Sequence, residues 1–225
     1  MKKSSLFRSL LPLILGIFIL SGVLISSQSD LVSGLKEALN VGTKNAVGLI
    51  SKKDGYFASE FIKILMPEKI QKLANTLGTI GMQKQVDEFI LSMNRAAEKA
   101  APEAVSIFVD AIKEMSFDDA TSILTGGDTA ATDYFKTKTS KTIYETFKPI
   151  ISLGMEEVGV TKTFKTLTDK YSTLPFVENV NIDLDDYVTN KALDGLFYMI
   201  GEEEKKIRTN PAARVNDILK KVFKD

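Results

Sequence analysis

The sequence predicts an all-α fold: a single-domain bundle of about eight to ten helices that follows an N-terminal signal segment. Apolar residues recur at helical spacing through most of the 225 residues, whereas the alternation typical of a β-strand is confined to residues 57–65. Proline, glycine and polar capping residues recur between the periodic stretches, as expected at helix ends. No linker or low-complexity stretch divides the chain beyond the signal segment, which favours one domain with one core.

The N-terminus has the pattern of an export signal. Basic residues among the first eight precede an apolar run at residues 10–25, and small residues suited to a signal peptidase follow at residues 26–29. We therefore predict that residues 1–29 are a signal peptide or, if uncleaved, an N-terminal membrane anchor, and that residues 30–225 form the helical domain. A buried soluble helix is the remaining alternative. The predicted location is exported: periplasmic, or anchored to the inner membrane by the uncleaved segment, which is then the only expected membrane contact.

The first part of the domain contains two predicted helices. The apolar spacing over residues 31–49 predicts an amphipathic helix, and residues 53–55 predict a turn. Pro67 is expected to open the next helix, because its missing N–H costs nothing at the first helical position. Gly78 and Gly81 are expected to break that helix.

The middle of the chain has the clearest helical pattern. Over residues 83–100 one face carries Val86, Phe89, Ile90, Met93, Ala97 and Ala100. Pro102 restarts the chain into another helix. Ser116 with Asp119 three positions later resembles a capping box that opens a short helix, which ends at residues 126–127.

The last third is predicted to hold several more elements. They are a helix from about residue 128 to Pro149, shorter helices near residues 150–158 and 161–171, a loop to about residue 184, a long helix at residues 185–208, and a basic amphipathic helix at residues 211–223. The basic helix packs either into the core or onto a membrane surface or partner.

Five segments of the chain resemble a known protein family. They are SMNRAAE at residues 92–98, LTGGDTAATDYF at 124–135, DYVT at 186–189, KALDGLF at 191–197 and EEEKKIR at 202–208. These strings are similar to the bacterial domain-of-unknown-function family 4197, and the resemblance covers residues 31–223.

The resemblance implies an exported helical bacterial protein. Many relatives look lipid-anchored through a cysteine after the signal, but this chain has no cysteine, so that anchor is not available to it. The family carries no established activity, and the resemblance therefore implies none for this chain.

The composition excludes several kinds of chemistry. The chain contains no Cys, His or Trp, so it has no disulfide, thiol nucleophile, zinc–thiolate site or Ser–His pair. Loss of residues 1–29 removes three of 29 basic residues and none of 29 acidic ones, which leaves a formal net charge of −3. A net negative charge disfavours nucleic acid as a partner. We predict no nucleic-acid partner, no cofactor and no metal. Caps explain Asp119 and Asp128 more simply than calcium ligation does.

The long helix at residues 185–208 carries the first group of candidate site residues. Glu203 falls on a helical wheel inside the arc of the helix's apolar residues, so its carboxylate is expected to face the core. A buried carboxylate must be paired, hydrogen-bonded or neutralised. It is either a structural ion pair with a basic residue of another helix or a perturbed carboxylate that lines a ligand cavity. A separate polar stripe with two aromatic rings carries Tyr187, Lys191, Asp194, Tyr198, Glu202 and Lys205.

Arg95 and Asn94 form the second group. Arg95 lies opposite the apolar face of its helix, so it is either a surface guanidinium paired with Glu98 or Glu88, or part of an interior polar network with residues 202–204. The candidate polar network or ligand-contact residues are Glu203, Arg95, Asn94, Tyr187, Lys191, Asp194 and Tyr198, and none is predicted to be catalytic.

Two classes of function remain open. We favour a non-catalytic exported helical protein of the cell envelope that binds a small ligand, lipid or protein partner. The alternative is an envelope enzyme that uses carboxylate, Tyr or Lys chemistry in a helical cleft, and a purely structural role is the remaining one. A cavity lined by aromatic residues and a few polar groups favours binding, whereas acid–base groups that converge at one open cleft favour catalysis.

Overall fold

The computed structural model describes residues 11–157 and 182–209, together with residues 162, 165, 166, 168 and 169. Side chains are described from residue 29 onward, except that of Lys69. The helices are α1 (Leu11–Ile50), α2 (Glu68–Leu77), α3 (Gln83–Ala100), α4 (Ala104–Glu114), α5 (Phe117–Thr125), α6 (Ala130–Glu157) and α7 (Leu184–Thr209). No strand occurs among these residues, and the prediction of an all-α fold is confirmed.

The number of helices is lower than predicted. The described residues contain five uninterrupted helical segments rather than eight to ten, because the chain from α2 to α4 continues without a loop. A π-turn (Gly78–Met82) joins α2 to α3, and a 3-10 turn (Ala101–Glu103) joins α3 to α4. Gly81 has a φ of +86°, in the left-handed region that favours glycine, and the chain kinks there. The predicted break therefore takes the form of a kink.

Helix α6 continues past the point where the sequence predicts its end. Pro149 lies inside the helix, although proline lacks the N–H that an interior helical position donates. Phe147 and Ile151 on either side of it are fully buried, so their packing holds the helical path through the proline. The separate helix predicted at residues 150–158 is thus wrong. The predicted elements at residues 161–171 and 211–223 lie outside the continuously described ranges.

One apolar cluster forms the core of the bundle. Helix α7 packs against α6 and α1, and α6 also packs against α3. Phe108 of α4 contacts Phe135 of α6 and Phe197 of α7 edge to face, with ring centroids 5.0 and 6.2 Å apart. The predicted face of α3 is confirmed, because all its members are buried except Ile90, which is half-buried.

Helix α1 runs through the boundary between the predicted signal segment and the domain. Its part beyond Leu35 packs into the core, while the predicted cleavage region lies within the same helix. In the part of the chain that the structure describes, no helix combines the length and apolar character needed to cross a membrane. Export and signal cleavage stay predictions.

Candidate functional site

A groove lies between residues 61–71 and the first half of α7. Its volume is about 1040 Å³, and we call it the α7 groove. Its lining includes Phe61, Lys63, Leu65, Glu68, Gln71, Asp183, Asp186, Tyr187, Asn190, Lys191, Asp194, Gly195 and Tyr198.

Four of the predicted site residues line this groove. Tyr187, Lys191, Asp194 and Tyr198 are separated by four, three and four residues, so they lie one above another on one face of α7. Four of the six residues of the predicted polar stripe thus line the groove, whereas Glu202 and Lys205 do not. Contact of these four residues with a ligand stays a prediction.

Two aromatic rings stack at the groove. The rings of Phe61 and Tyr198 lie 5.5 Å apart at an angle of 17°, one from each wall. Phe61 is 75% exposed and Tyr198 is 39% exposed. Leu65, on the same wall as Phe61, is also exposed. Exposed apolar surface that lines a groove is one of the features that mark an interaction site.

Tyr187 joins the two walls. Its hydroxyl donates a hydrogen bond to the Leu65 carbonyl oxygen at 3.0 Å. Burial raises the pKa of the Tyr187 hydroxyl, and the nearby carboxylates of Glu68 and Asp194 raise this pKa further. The hydroxyl is therefore a hydrogen-bond donor at neutral pH and a poor general base.

Acidic residues outnumber lysines around the groove. The lining contains Glu68, Asp183, Asp186 and Asp194 against Lys63 and Lys191. At one end, Asp186 accepts a hydrogen bond from the Tyr144 hydroxyl at 2.6 Å, and the Asp183 carboxylate lies 3.7 Å from the Lys148 ammonium. These two acids are thus engaged by helix α6.

The other two acids of the groove lining are less well neutralised. Asp194 pairs with Lys191 at 3.2 Å, but both side chains are largely exposed, so the pair is weak. Glu68 forms no hydrogen bond or ion pair with any residue whose side chain the structure describes. The lining of the groove therefore carries uncompensated negative charge.

Asn94 lies behind the groove rather than in it. It is fully buried, and its side-chain amide both accepts from the Ile64 N–H and donates to the Ile64 carbonyl oxygen, each at 2.8 Å. It also donates to the Ile90 carbonyl oxygen. The side-chain oxygen and nitrogen of Asn94 thus both bond to the backbone of Ile64, which lies in one wall of the groove. Asn94 is therefore a positioning residue.

Arg95 takes part in a different cluster. Its guanidinium pairs with Glu98 and with Asp54, at 2.5 Å each. The buried carboxylate of Glu98 also accepts from the backbone N–H groups of Tyr56 and Phe57. The pairing with Glu98 is confirmed, whereas the network with residues 202–204 is wrong. The cluster fixes the turn that follows α1 onto α3.

Glu203 is buried, as the helical wheel predicts, but its partner is local. Its carboxylate lies 2.6 Å from the Lys206 ammonium of the same helix, and the Lys206 side chain is half exposed. An ion pair with a basic residue of another helix is therefore wrong for Glu203. Its neighbour Glu204 instead reaches another helix, where it accepts from the N–H groups of Ala131 and Thr132 at the start of α6 and pairs with Arg208.

Sequence reasoning missed the wall opposite α7. Phe61, Leu65 and Glu68 line the groove although none was a candidate. The β-like alternation noted over residues 57–65 was a signal for Phe61 and Leu65, because it sets this stretch apart from the surrounding helices, whereas nothing in the pattern pointed to Glu68.

Comparison with models of protein families gives a match over most of the chain. The model of a family described as "Protein of unknown function (DUF4197)" matches residues 25–224, in agreement with the resemblance carried by the five sequence strings. The comparisons with curated proteins and with solved structures found no match.

Proposed function

We propose that the chain, which belongs to the DUF4197 family, is a non-catalytic binding protein of the cell envelope that holds its ligand in the α7 groove. In this proposal the protein is exported, and it is periplasmic or held at the inner membrane by its N-terminal segment. The groove supplies both an apolar surface and charged groups, which are the features of a ligand site.

The stacked pair of Phe61 and Tyr198 is the observation that carries the proposal. A side chain as exposed as Phe61 leaves most of its apolar area in water, at a cost of about 25 cal/mol per Å² relative to burial. Aromatic rings held in this way give a ligand a large contact area with little loss of side-chain entropy. The pair therefore supports binding at this end of the groove.

The polar groups of the groove give less support to catalysis. The Tyr187 hydroxyl already donates a hydrogen bond to the Leu65 carbonyl oxygen, and its pKa is raised. Both features oppose its use as a base. The Lys191 ammonium pairs with Asp194. An envelope enzyme with carboxylate, Tyr or Lys chemistry stays the alternative. It requires a turnover that depends on Tyr187, Lys191 and Asp194.

Native mass spectrometry of the chain purified from its own cells tests the proposal. We expect a bound species on the wild-type chain and its loss from the Phe61→Ala/Tyr198→Ala double variant. The Phe117→Ala/Leu153→Ala double variant is the matched control, because these residues are also exposed and apolar but lie outside the groove lining. A wild-type chain that carries nothing, or an equal loss from both double variants, contradicts the proposal.

The intact mass of the same sample tests the proposed export. In the periplasmic form, we expect the measured mass to be lower than that of the full chain by the mass of residues 1–29. A full-length mass in the membrane fraction indicates the anchored form. A full-length chain in the cytoplasmic fraction contradicts both.

A further inference from the structure

We infer that the ligand of the α7 groove is a basic peptide segment in an extended conformation, which adds as a β-strand along the backbone of residues 63–65. The inference rests on the proposed function and names the class of its ligand. It combines three features of the groove: an open backbone edge, an elongated shape and uncompensated acidic charge.

The segment from Phe61 to Met66 has the burial pattern of a β-strand. Ile62, Ile64 and Met66 are buried, whereas Phe61 and Leu65 are exposed and Lys63 is half-buried. Beyond the turn that contains Phe61 and Ile62, this alternation indicates an extended backbone, since successive residues of a strand point to opposite faces. Residues 63–67 lie outside any helix or turn, and no other strand pairs with them in the described part of the chain.

One edge of this segment is already satisfied. Asn94 bonds both the N–H and the carbonyl of Ile64, as a residue on a neighbouring antiparallel strand does. In an extended backbone the N–H and carbonyl of adjacent residues point to opposite edges. The groups of Lys63 and Leu65 therefore point away from Asn94.

The other edge faces the groove. Tyr187 of α7 bonds the Leu65 carbonyl, which places this edge toward α7. The N–H and carbonyl of Lys63 and the N–H of Leu65 have no hydrogen-bond partner among the described residues. A row of open backbone groups beside a groove is what strand addition of a peptide requires, because main-chain hydrogen bonds supply much of the affinity in that mode.

The shape of the groove fits an extended chain. Its α7 wall runs from Asp183 to Tyr198, which is about 22 Å at 1.5 Å per helical residue. A peptide strand of about six or seven residues has the same length at 3.3 Å per residue. The volume of about 1040 Å³ lies just above the range for compact small-molecule sites, about 300 to 1,000 Å³.

The charge of the groove indicates basic side chains on the peptide. Glu68 is unpaired within the described residues and Asp194 is only weakly paired, and both lie close enough to Tyr187 to raise its pKa. The ammonium of Lys63 sits 4.1 Å from the centre of the Phe57 ring. Lysine or arginine side chains of a bound strand can pair with the two carboxylates and lie against the Phe61 and Tyr198 rings.

Peptide probes test the inference on the chain as purified from its own cells. The probe is a capped hexapeptide that alternates lysine and valine, with fluorescence anisotropy as the readout. An analogue with glutamate in place of lysine is expected to bind at least about tenfold more weakly. N-methylation of the lysine amides and of the valine amides blocks opposite edges of the peptide strand, so we expect one of these analogues to lose binding and the other to keep it.

Two variants of the chain test the backbone edge. Leu65→Pro removes the Leu65 N–H while it keeps the preceding residue in an extended conformation, and Leu65→Ala removes the side chain but keeps the N–H. We expect Leu65→Pro to lose peptide binding and Leu65→Ala to retain most of it. Glu68→Gln is expected to weaken binding of the lysine peptide by about tenfold and to strengthen binding of the glutamate analogue, because it removes a repelling carboxylate. Circular dichroism reports folding, and the N-methylated peptides apply the same test to the unaltered chain if Leu65→Pro does not fold.

Failure of the inference differs from failure of the proposed function. Equal binding of both N-methylated peptides, or of the lysine and glutamate peptides, overturns strand addition of a basic segment. Absence of peptide binding together with a small molecule lost from the Phe61→Ala/Tyr198→Ala variant also overturns it, but leaves the binding function intact. Absence of any ligand in both experiments overturns both.

Discussion

Glu204 holds the beginning of helix α6, because its carboxylate accepts hydrogen bonds from both the N–H and the hydroxyl of Thr132, each at 2.8 Å. The Ala131 N–H donates to the other carboxylate oxygen at 2.9 Å. A carboxylate at the N-terminus of a helix satisfies open N–H groups and interacts favourably with the helix dipole. An acid of α7 therefore performs the capping that a local residue normally provides.

Replacement of Glu204 is expected to destabilise the fold strongly. Glu204→Ala leaves the N–H groups of α6 and the largely buried guanidinium of Arg208 without this partner, so we expect a loss of about 3 kcal/mol in the free energy of unfolding. Glu202→Ala, two residues earlier on the same helix, is the control and is expected to cost less than about 0.5 kcal/mol. Urea unfolding measures both. Equal midpoints for the two variants would show that the cap contributes little.

Two glycines of α7 are expected to respond in opposite ways to alanine. A Cβ at residue 195 would lie 2.6 Å from Cε1 of the fully buried Tyr56 ring, whereas a Cβ at residue 201 meets nothing closer than 3.6 Å. Gly195→Ala should therefore cost about 1–3 kcal/mol through overpacking. Gly201→Ala should be neutral or stabilise by up to about 1 kcal/mol, because alanine favours the helix. The thermal unfolding midpoints of the two variants test this prediction. A Gly195→Ala variant as stable as Gly201→Ala would rule out the close contact with Tyr56.

The buried hydroxyl of Tyr56 is expected to make stability depend on alkaline pH. It donates to the Ala192 carbonyl at 2.7 Å, and burial raises its pKa above the ordinary value of about 10, with a further contribution from Glu98. A raised folded-state pKa gives stability that is fully present below pH 10 and is lost as pH rises above it.

Tyr56→Phe isolates this effect. At pH 8 the variant should be less stable by about 1 kcal/mol, because it lacks the hydrogen bond. As pH rises above about 10, the difference should shrink and then reverse, since the variant has no hydroxyl to ionise. Urea midpoints at a series of pH values test this, and a constant difference across the series would contradict it.

Replacement of Asn94 is expected to loosen one wall of the groove. Asn94→Leu keeps a similar volume but leaves the N–H and carbonyl of Ile64 without this partner, so we expect a cost of about 3 kcal/mol. Ser92→Ala, which removes an exposed hydroxyl that bonds within its own helix, should cost less than about 0.5 kcal/mol. Hydrogen exchange at the Ile64 amide should accelerate in Asn94→Leu but not in Ser92→Ala. An unchanged exchange rate in Asn94→Leu would show that Asn94 does not stabilise this wall of the groove.

Features set by residues close in sequence could be predicted. The buried face of α3 and the groove-facing stripe of Tyr187, Lys191, Asp194 and Tyr198 follow from helical spacing alone. The capping box of Ser116 and Asp119 is confirmed for the same reason, since its two hydrogen bonds join residues three apart.

Features set by distant partners could not be predicted. A helical wheel places Glu203 inward, but it cannot indicate that the neighbouring Glu204 bonds to Thr132, 72 residues away in sequence. The bonds between Asn94 and Ile64 and the passage of α6 through Pro149 likewise depend on tertiary packing, which outweighs local preference in these places.

An unpaired backbone edge also exposes the chain to self-association, because two copies can pair along residues 63–65 as readily as one copy pairs with another peptide. Lys63 stands at this edge, and lysine is one of the residues by which natural proteins discourage such pairing. Lys63→Val should therefore raise the fraction of dimers and larger species in sedimentation velocity, whereas Lys63→Arg should not. If both variants stay as monomeric as the wild-type chain, the charge of Lys63 does not protect against oligomerisation.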